Sequence, residues 1–445
     1  MIKTLIYVAI LLILLAASWR RPAAAVGVVL CMFGIEQYGQ SVSYFFVKHA
    51  ALTNIVIGSI ATIALMRKGW RSNSRWMSYG PIGWLVIALY FYALVSTVWA
   101  PQPNFSFDYY IREAPYIVLL IFIVPLIIVS YKDLDVAINT VVMIGFVFTV
   151  LLLFFVDWSG RSVVVAGVFN KYGDRQGANP LAAAEMAGYT ALTAGLYFYG
   201  TKTRTWGFLK WGALIFSVIL TVKTGSRGQA LFLIVVLIVF WPLRNRVDIK
   251  SFFSVVAPAI ISVFAFKFAV DSFWGGTQRW SSEHLSGDLS ERVLMAESLL
   301  NTWWNSSPLT ILFGLGNSAS FDPKIVGYYP HIVPLEIVGE EGLVGFAVYI
   351  MIIIKTISAV LRLINNNNLR HRRMGVVLGA LFFYTFLLSL KQGSFLGSPV
   401  MFSIAVLIGK ADNISALITK RRQYEARRAV NPKLTPLGFW KKFSE

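Results

Sequence analysis

The chain has 445 residues, of which 57% are hydrophobic and only 14% charged, and this excludes an ordinary soluble globular domain. Its formal net charge of +19 does not mark a nucleic-acid binder, because Lys and Arg are spread over short loops between apolar runs. The single cysteine, Cys31, lies in an apolar run and the four histidines are scattered, so no disulfide framework, metal site or cofactor is expected.

Apolar runs long enough to cross a hydrocarbon core of roughly 30 Å recur from end to end. The first, Leu5–Ala17, is followed by Trp19-Arg20-Arg21-Pro22 and then more apolar sequence, which reads as a retained span and not a cleaved signal. Ile82–Trp99, Val136–Val156, Leu214–Val222, Ala230–Trp241, Phe252–Phe268 and Leu343–Ile354 are further clear examples. At roughly 20 residues per crossing the pattern predicts an all-α, polytopic transmembrane helical bundle of about 12 or 13 spans. No long polar domain interrupts it, so 1–445 is expected to form a single integral membrane domain.

Basic residues mark alternate loops: Arg67-Lys68 with Arg71 and Arg75, then Lys202, Arg204 and Lys210, then Arg244, Arg246 and Lys250, then Arg362 with Arg370, Arg372 and Arg373. The positive-inside rule makes these loops cytoplasmic. It also makes 410–445, with Lys420-Arg421-Arg422 and Arg427-Arg428, a basic cytoplasmic tail facing membrane lipids. The periplasmic segments are then Pro101–Ala114, Asp157–Pro180, Lys223–Gln229, a long stretch 271–330, and a turn near Lys391–Gly397. The 271–330 loop is too long for a plain connector, which points to a functional loop or lid. It opens with Trp274-Gly275-Gly276. A helix is expected from Leu289 to about Trp304, with Arg292 near its start and Val293, Ala296, Leu299 and Leu300 on one face.

Two short segments could carry chemistry. In Thr224-Gly225-Ser226-Arg227-Gly228 the glycines let the backbone turn and approach a ligand. Ser226 is placed to cap the following span, whose free amides and dipole would favour an anion, and Arg227 offers a planar fork of donors suited to phosphate. An arginine snorkelling beside a helix start is the plainer alternative. In Pro330-His331-Ile332-Val333-Pro334-Leu335-Glu336, His331 sits where the long loop re-enters the membrane. An imidazole there can take a proton from a hydroxyl nucleophile near neutral pH, although a solvated or structural histidine would occupy the same place. Glu336, Glu340 and Glu341 fall in the first turns of the next span, where carboxylates suit the helix dipole but need partners so near the membrane.

His331, with Glu340, Gly342 and Gly345 following at fixed spacing, resembles the C-terminal signature of the O-antigen ligase and O-antigen polymerase superfamily. The Thr224–Gly228 turn resembles that family's Ser-Arg-Gly element, and Gly314-Leu315-Gly316 and Arg292 are similar as well. The resemblance covers roughly 180–410; one departure is Ile332, where the family often has Asn. It implies an inverting, metal-independent glycosyltransferase of the bacterial inner membrane, with its active site facing the periplasm. The donor would be an undecaprenyl-pyrophosphate-linked glycan and the acceptor a glycan or the lipid A core. His331 would be the base, and Arg227, Arg292 and Ser226 the donor-pyrophosphate site, with Gly225, Gly228, Glu336 and Glu340 in support. Arg175 is a further phosphate candidate whose alternative is a salt bridge to Asp174 or Glu185. Polymerase is the expected activity, with ligase and a lipid-linked sugar transporter or flippase as alternatives. A transporter predicts inverted repeats and charges deep within spans, and no half-to-half repeat is visible.

Overall fold

A chain this apolar buries its backbone polar groups as helices and turns its large side chains outward to lipid. The computed structural model describes residues 2–69, 79–160, 162–169, 175–197, 204–244 and 282–430. It is an all-α bundle, and among the described residues nine helices are long and apolar enough to cross a membrane. The expected span Phe252–Phe268 and the opening of the long loop, including Trp274-Gly275-Gly276, lie outside the described residues, as do 431–445.

The N-terminal half is an open fan. Helix α1 (Ile2–Arg20) exposes Leu5, Leu12 and Ile13 and buries only Tyr7, Leu11, Leu14 and Ser18. The next apolar stretch breaks at Cys31 into α2 (Ala24–Leu30) and α3 (Met32–Val42), followed by α4 (Tyr44–Lys48) and α5 (Ala50–Arg67). Helix α6 (Gly80–Ser96) precedes α7 (Pro103–Ile117), which contains Pro115 and runs through a π-helical stretch, Val118–Ile123, into α8 (Val124–Ile127). Proline removes a helical donor and crowds the preceding turn, and the ladder widens just after it. Pro101–Ala114, expected as a loop, is therefore largely helical. Helix α9 (Tyr131–Phe154) starts at Ser130, whose side chain accepts from the Asp133 amide.

The segment after α9 holds the only strands among the described residues. β1 (Trp158–Ser159), β2 (Ser162–Phe169) and β3 (Arg175–Gly177) form a small antiparallel sheet in that order. Val163, Val164 and Val165 are all buried, so this β-branched run is packed, and it supplies the strand that the helical reading omitted.

Helix α10 (Pro180–Leu196) is largely enclosed, packed by α9, α11 (Arg204–Lys223), α12 (Arg227–Leu243) and α16 (Leu369–Ser389). Its Ala183, Ala184, Ala187, Ala191 and Ala194 are buried and admit neighbours at close range. Lys210, expected in a loop, is buried on α11 and donates to the Tyr197 carbonyl. The long loop contributes α13 (Ser282–Trp304) and α14 (Pro308–Phe313) before α15 (Val333–Ile364). The loop helix thus starts a turn or more earlier than Leu289 and ends where expected. Ala296 and Leu299 are buried, but Val293 is 57% exposed, so the buried face is narrower than its spacing suggested. Helix α17 (Pro399–Val430) carries the segment from 410 onward as helix, with Lys410 fully buried.

Helix α15 is broken by a kink at Gly342, and its second part, 343–364, runs about 33 Å at 1.5 Å per residue, long enough for its two termini to mark opposite ends of the bundle. At its C-terminal end Arg362 pairs with Asp412 at 2.7 Å, Arg370 with Asp135, and Lys68 with Asp133. Arg244 and Arg372 donate to the Gly195 and Leu243 carbonyls. The basic loops therefore share one end. The other end carries the candidate site.

Candidate active site

The first half of α15 is braced by the loop before it. Gly342 has φ +64 and ψ −168, a kink within the helix, and a Cβ there would stand 2.3 Å from the Gly314 amide nitrogen. Gly314, at φ +86, would in turn drive a Cβ to 2.1 Å from the Glu340 carbonyl oxygen. Neither position has room for a side chain, and both need backbone that only glycine adopts freely. Across this contact Leu315 and Gly316 donate to the Gly339 and Glu340 carbonyls at 2.9 Å. The buried Glu340 carboxylate accepts from the Ser318 amide at 2.8 Å and the Ser320 amide at 3.0 Å. Buried Glu336 accepts from the Phe395 amide at 3.0 Å, which fixes the turn before α17. Both oxygens of Glu340 are satisfied by backbone donors, whereas Glu336 uses one oxygen and keeps Oε2 buried without a partner; both carboxylates act as braces.

His331 follows this brace. Its φ of +60 is one of only two positive values at non-glycine positions among the described residues, the other being Ser318. Such a conformation costs of order 1–3 kcal/mol and persists where the surroundings enforce it. The imidazole lies against Tyr329, with ring centroids 4.3 Å apart, and against Tyr328 at 5.4 Å. Phe321 continues the aromatic wall to Tyr109, whose hydroxyl meets Ser394 at 3.0 Å. Burial, and then the nearby Arg292 guanidinium, hold the His331 imidazole below its ordinary value of 6.5. A neutral ring near pH 7 follows. Ile332 occupies the N-cap position of α15 without a side-chain cap bond, and Pro334 opens the helix. An Asn there could cap the helix; this chain relies on proline geometry instead.

Arg292 extends from the loop helix to donate to the carbonyl of Lys391. The Lys391 side chain lies over Gly228: a Cβ there would stand 2.6 Å from Nζ. One residue on, Gln229 Nε2 donates to Gln392 Oε1 at 2.6 Å. The structure therefore joins three distant segments, since the Gly225–Gln229 turn and Arg292 both meet the 391–392 turn and Arg292 lies near His331. Gly225 takes φ +61 and Arg227 opens α12, half-buried. Ser226 stands at the N-cap but makes no side-chain cap bond; its hydroxyl is buried without a hydrogen-bond partner. The expected cap is thus corrected: the first turn closes through the Ser226 carbonyl, which accepts from the Ala230 amide at 3.0 Å. Arg175 begins β3, and only its backbone is described. Arg112 lies over the Tyr109 ring, 68% exposed, and pairs with Glu113 at 3.4 Å.

The Gln229–Gln392 bond is the part that sequence reading missed, and Lys391, near the last periplasmic turn, could not be told there from a snorkelling lysine. A lysine beside a turn gives no signal by itself, and a glutamine pair 163 positions apart has no readable spacing.

Beneath this cluster lies a cavity of about 360 Å³ between α3, α7, α10, α16 and the 392–401 turn, with Tyr329 and Gln392 at its lining.

No curated protein matches the chain. Residues 212–350 match the O-antigen ligase family, a stretch that runs from α11 through α12 and the long loop into α15 and holds Ser226, Arg227, Arg292 and His331. The segment 212–350 is thus similar to the O-antigen ligase family, and it lies in a bundle with nine helices long and apolar enough to cross a membrane among the described residues.

Proposed function

We propose that this protein transfers a glycan from an undecaprenyl-pyrophosphate donor to an acceptor sugar hydroxyl at the periplasmic face, with inversion and without a metal. The observation that carries the reading is the meeting of Arg292, His331 and the Gly225–Gln229 turn around Lys391 and Gln392. Arg227 and Arg292 hold the pyrophosphate, with the start of α12 adding oriented amides where negative charge grows. His331 takes the proton from the acceptor hydroxyl. The oxygen attacks the anomeric carbon, the bond from that carbon to the phosphate oxygen breaks, and its electron pair leaves with the pyrophosphate. The side chains supply the cations that stabilise this leaving group, so the mechanism calls for no metal.

The reaction is assigned as polymerisation, in which one lipid-linked glycan is the acceptor for another. The description of the matched family favours a second reading, ligation to lipid A core. Purified protein given lipid-linked repeat units alone decides between them: chain growth supports polymerase, and product only after addition of lipid A core supports ligase. The 271–330 loop is assigned to the periplasm, and the loop holding Arg362 and Arg370 to the cytoplasm, on charge asymmetry. Cysteines at Ser282 and Asn366 should label from opposite sides with an impermeant thiol reagent; labelling of both from one side rejects this orientation.

A further inference from the structure

The cavity beneath the cluster has a chemistry unlike that of its rim. Cations stand next to two of its lining residues: Arg292 donates to the carbonyl of Lys391, which precedes Gln392, and lies near His331, whose ring packs on Tyr329. The walls instead carry two carboxylates, Glu113 of α7 and Glu185 of α10, and no Lys, Arg or His lines them among the described residues. Three aromatic rings, Phe33, Tyr116 and Tyr329, line the same space. Behind it, Asn54 donates to both Glu36, at 2.9 Å, and the Tyr116 hydroxyl oxygen, at 3.0 Å, leaving the Tyr116 proton for another acceptor. Glu185 accepts from Tyr189, and Glu113 from the exposed Arg112, so each carboxylate retains further lone pairs. The volume, about 360 Å³, falls in the range of roughly 300–1,000 Å³ usual for small-molecule sites.

Carboxylates and an amide that accept hydrogen bonds, beside ring faces, suit the hydroxyls and C–H faces of a sugar. They repel an anion. Acidic walls favour an uncharged or positive occupant, and a pyrophosphate is better suited to the end holding Arg292.

We propose that this cavity is the saccharide subsite of the transferase, and that Glu113 and Glu185 make it select neutral or amino-bearing sugars over sugars with acidic substituents. The inference rests on the glycan-transfer reading and adds the class of sugar. The sugar residue whose hydroxyl reaches His331 enters past Tyr329, with its remaining hydroxyls held by Glu113, Glu185 and Gln392.

The test uses the full-length protein in detergent and an array of lipid-free oligosaccharides built from neutral hexoses, hexosamines with free amines, or hexuronic acids. The wild type should retain the neutral and amino series at least about ten-fold more strongly than the matched uronic series. The double variant Glu113→Gln, Glu185→Gln should lose that preference. Ala182→Trp, which places an indole in the cavity, should reduce retention of every oligosaccharide while binding of undecaprenyl pyrophosphate persists. Equal retention of acidic and neutral sugars by the wild type, an unchanged preference in the double variant, or no saccharide retention overturns the proposal. Arg227→Ala separates it from the parent reading: full transfer activity there removes the arginine mechanism, whereas the array preference reports on the cavity alone.

Discussion

The two ends of the bundle use their cations differently. At the end holding Arg362 and Arg370, cations meet carboxylates: Lys68 with Asp133, Arg370 with Asp135, Arg362 with Asp412. At the other end Arg292 has a carbonyl and a neighbouring imidazole for company and no carboxylate partner among the described residues. Two buried acids of this end, Glu336 and Glu340, accept from the amides of Phe395, Ser318 and Ser320. Pairing makes a cation structural. A cation held by neutral acceptors, as Arg292 is, keeps its field for an incoming anion.

If that contrast is right, the largest loss comes from the site end. Arg227→Ala should reduce transfer to the detection limit while the protein still inserts, and Arg227→Lys should recover only part, because an ammonium lacks the planar fork. Full activity in the alanine variant would return Arg227 to snorkelling. His331→Ala should follow, with turnover falling roughly 10²–10⁴-fold, the usual range for losing a positioned base. Donor binding should survive, since the proposed mechanism gives that task to the arginines. Weakened donor binding in step with the rate would make His331 part of the phosphate site instead.

A subtler effect concerns pH. Because Arg292 and burial depress the His331 pKa below 6.5, the neutral base persists as pH falls, and the acidic limb of the pH–rate profile lies below that value. Arg292→Gln removes the cationic contribution, so the limb should move to higher pH while donor affinity drops. An unmoved limb would separate the two residues.

The smallest effects belong to the paired end. Asp135→Asn leaves Arg370 partly buried beside an amide, and should lower stability by roughly 1–3 kcal/mol with the transfer rate per folded protein unchanged. Asp412→Asn touches a pair whose arginine side chain is 60% exposed, and should change stability by no more than about 1 kcal/mol. A thermal-shift series with parallel rates checks both. A rate defect in either variant would erase the distinction between the ends.

Hydrophobic run length and loop charge, both local properties, were enough to determine the class of this protein as a helical membrane bundle and the grouping of its basic loops. Local pattern also placed the loop helix ending at Trp304 and the turn at Gly225, because a helical period and a glycine at positive φ are encoded within a few residues. The tertiary structure decided what depends on distant partners. Sequence made Ser226 a cap, but the turn closed on its carbonyl; it put Val293 on the buried face, yet α13 presents that residue outward. Lys391 acquired its place only because Gly228 lies beneath its side chain and Arg292 reaches its carbonyl. Glu113 and Glu185, 72 positions apart by number, became two walls of one cavity through the packing of α7 and α10 around it. Sequence periodicity reports which face of a helix is apolar, whereas the juxtaposition of polar groups from separate helices is set by packing, and it leaves no period to read.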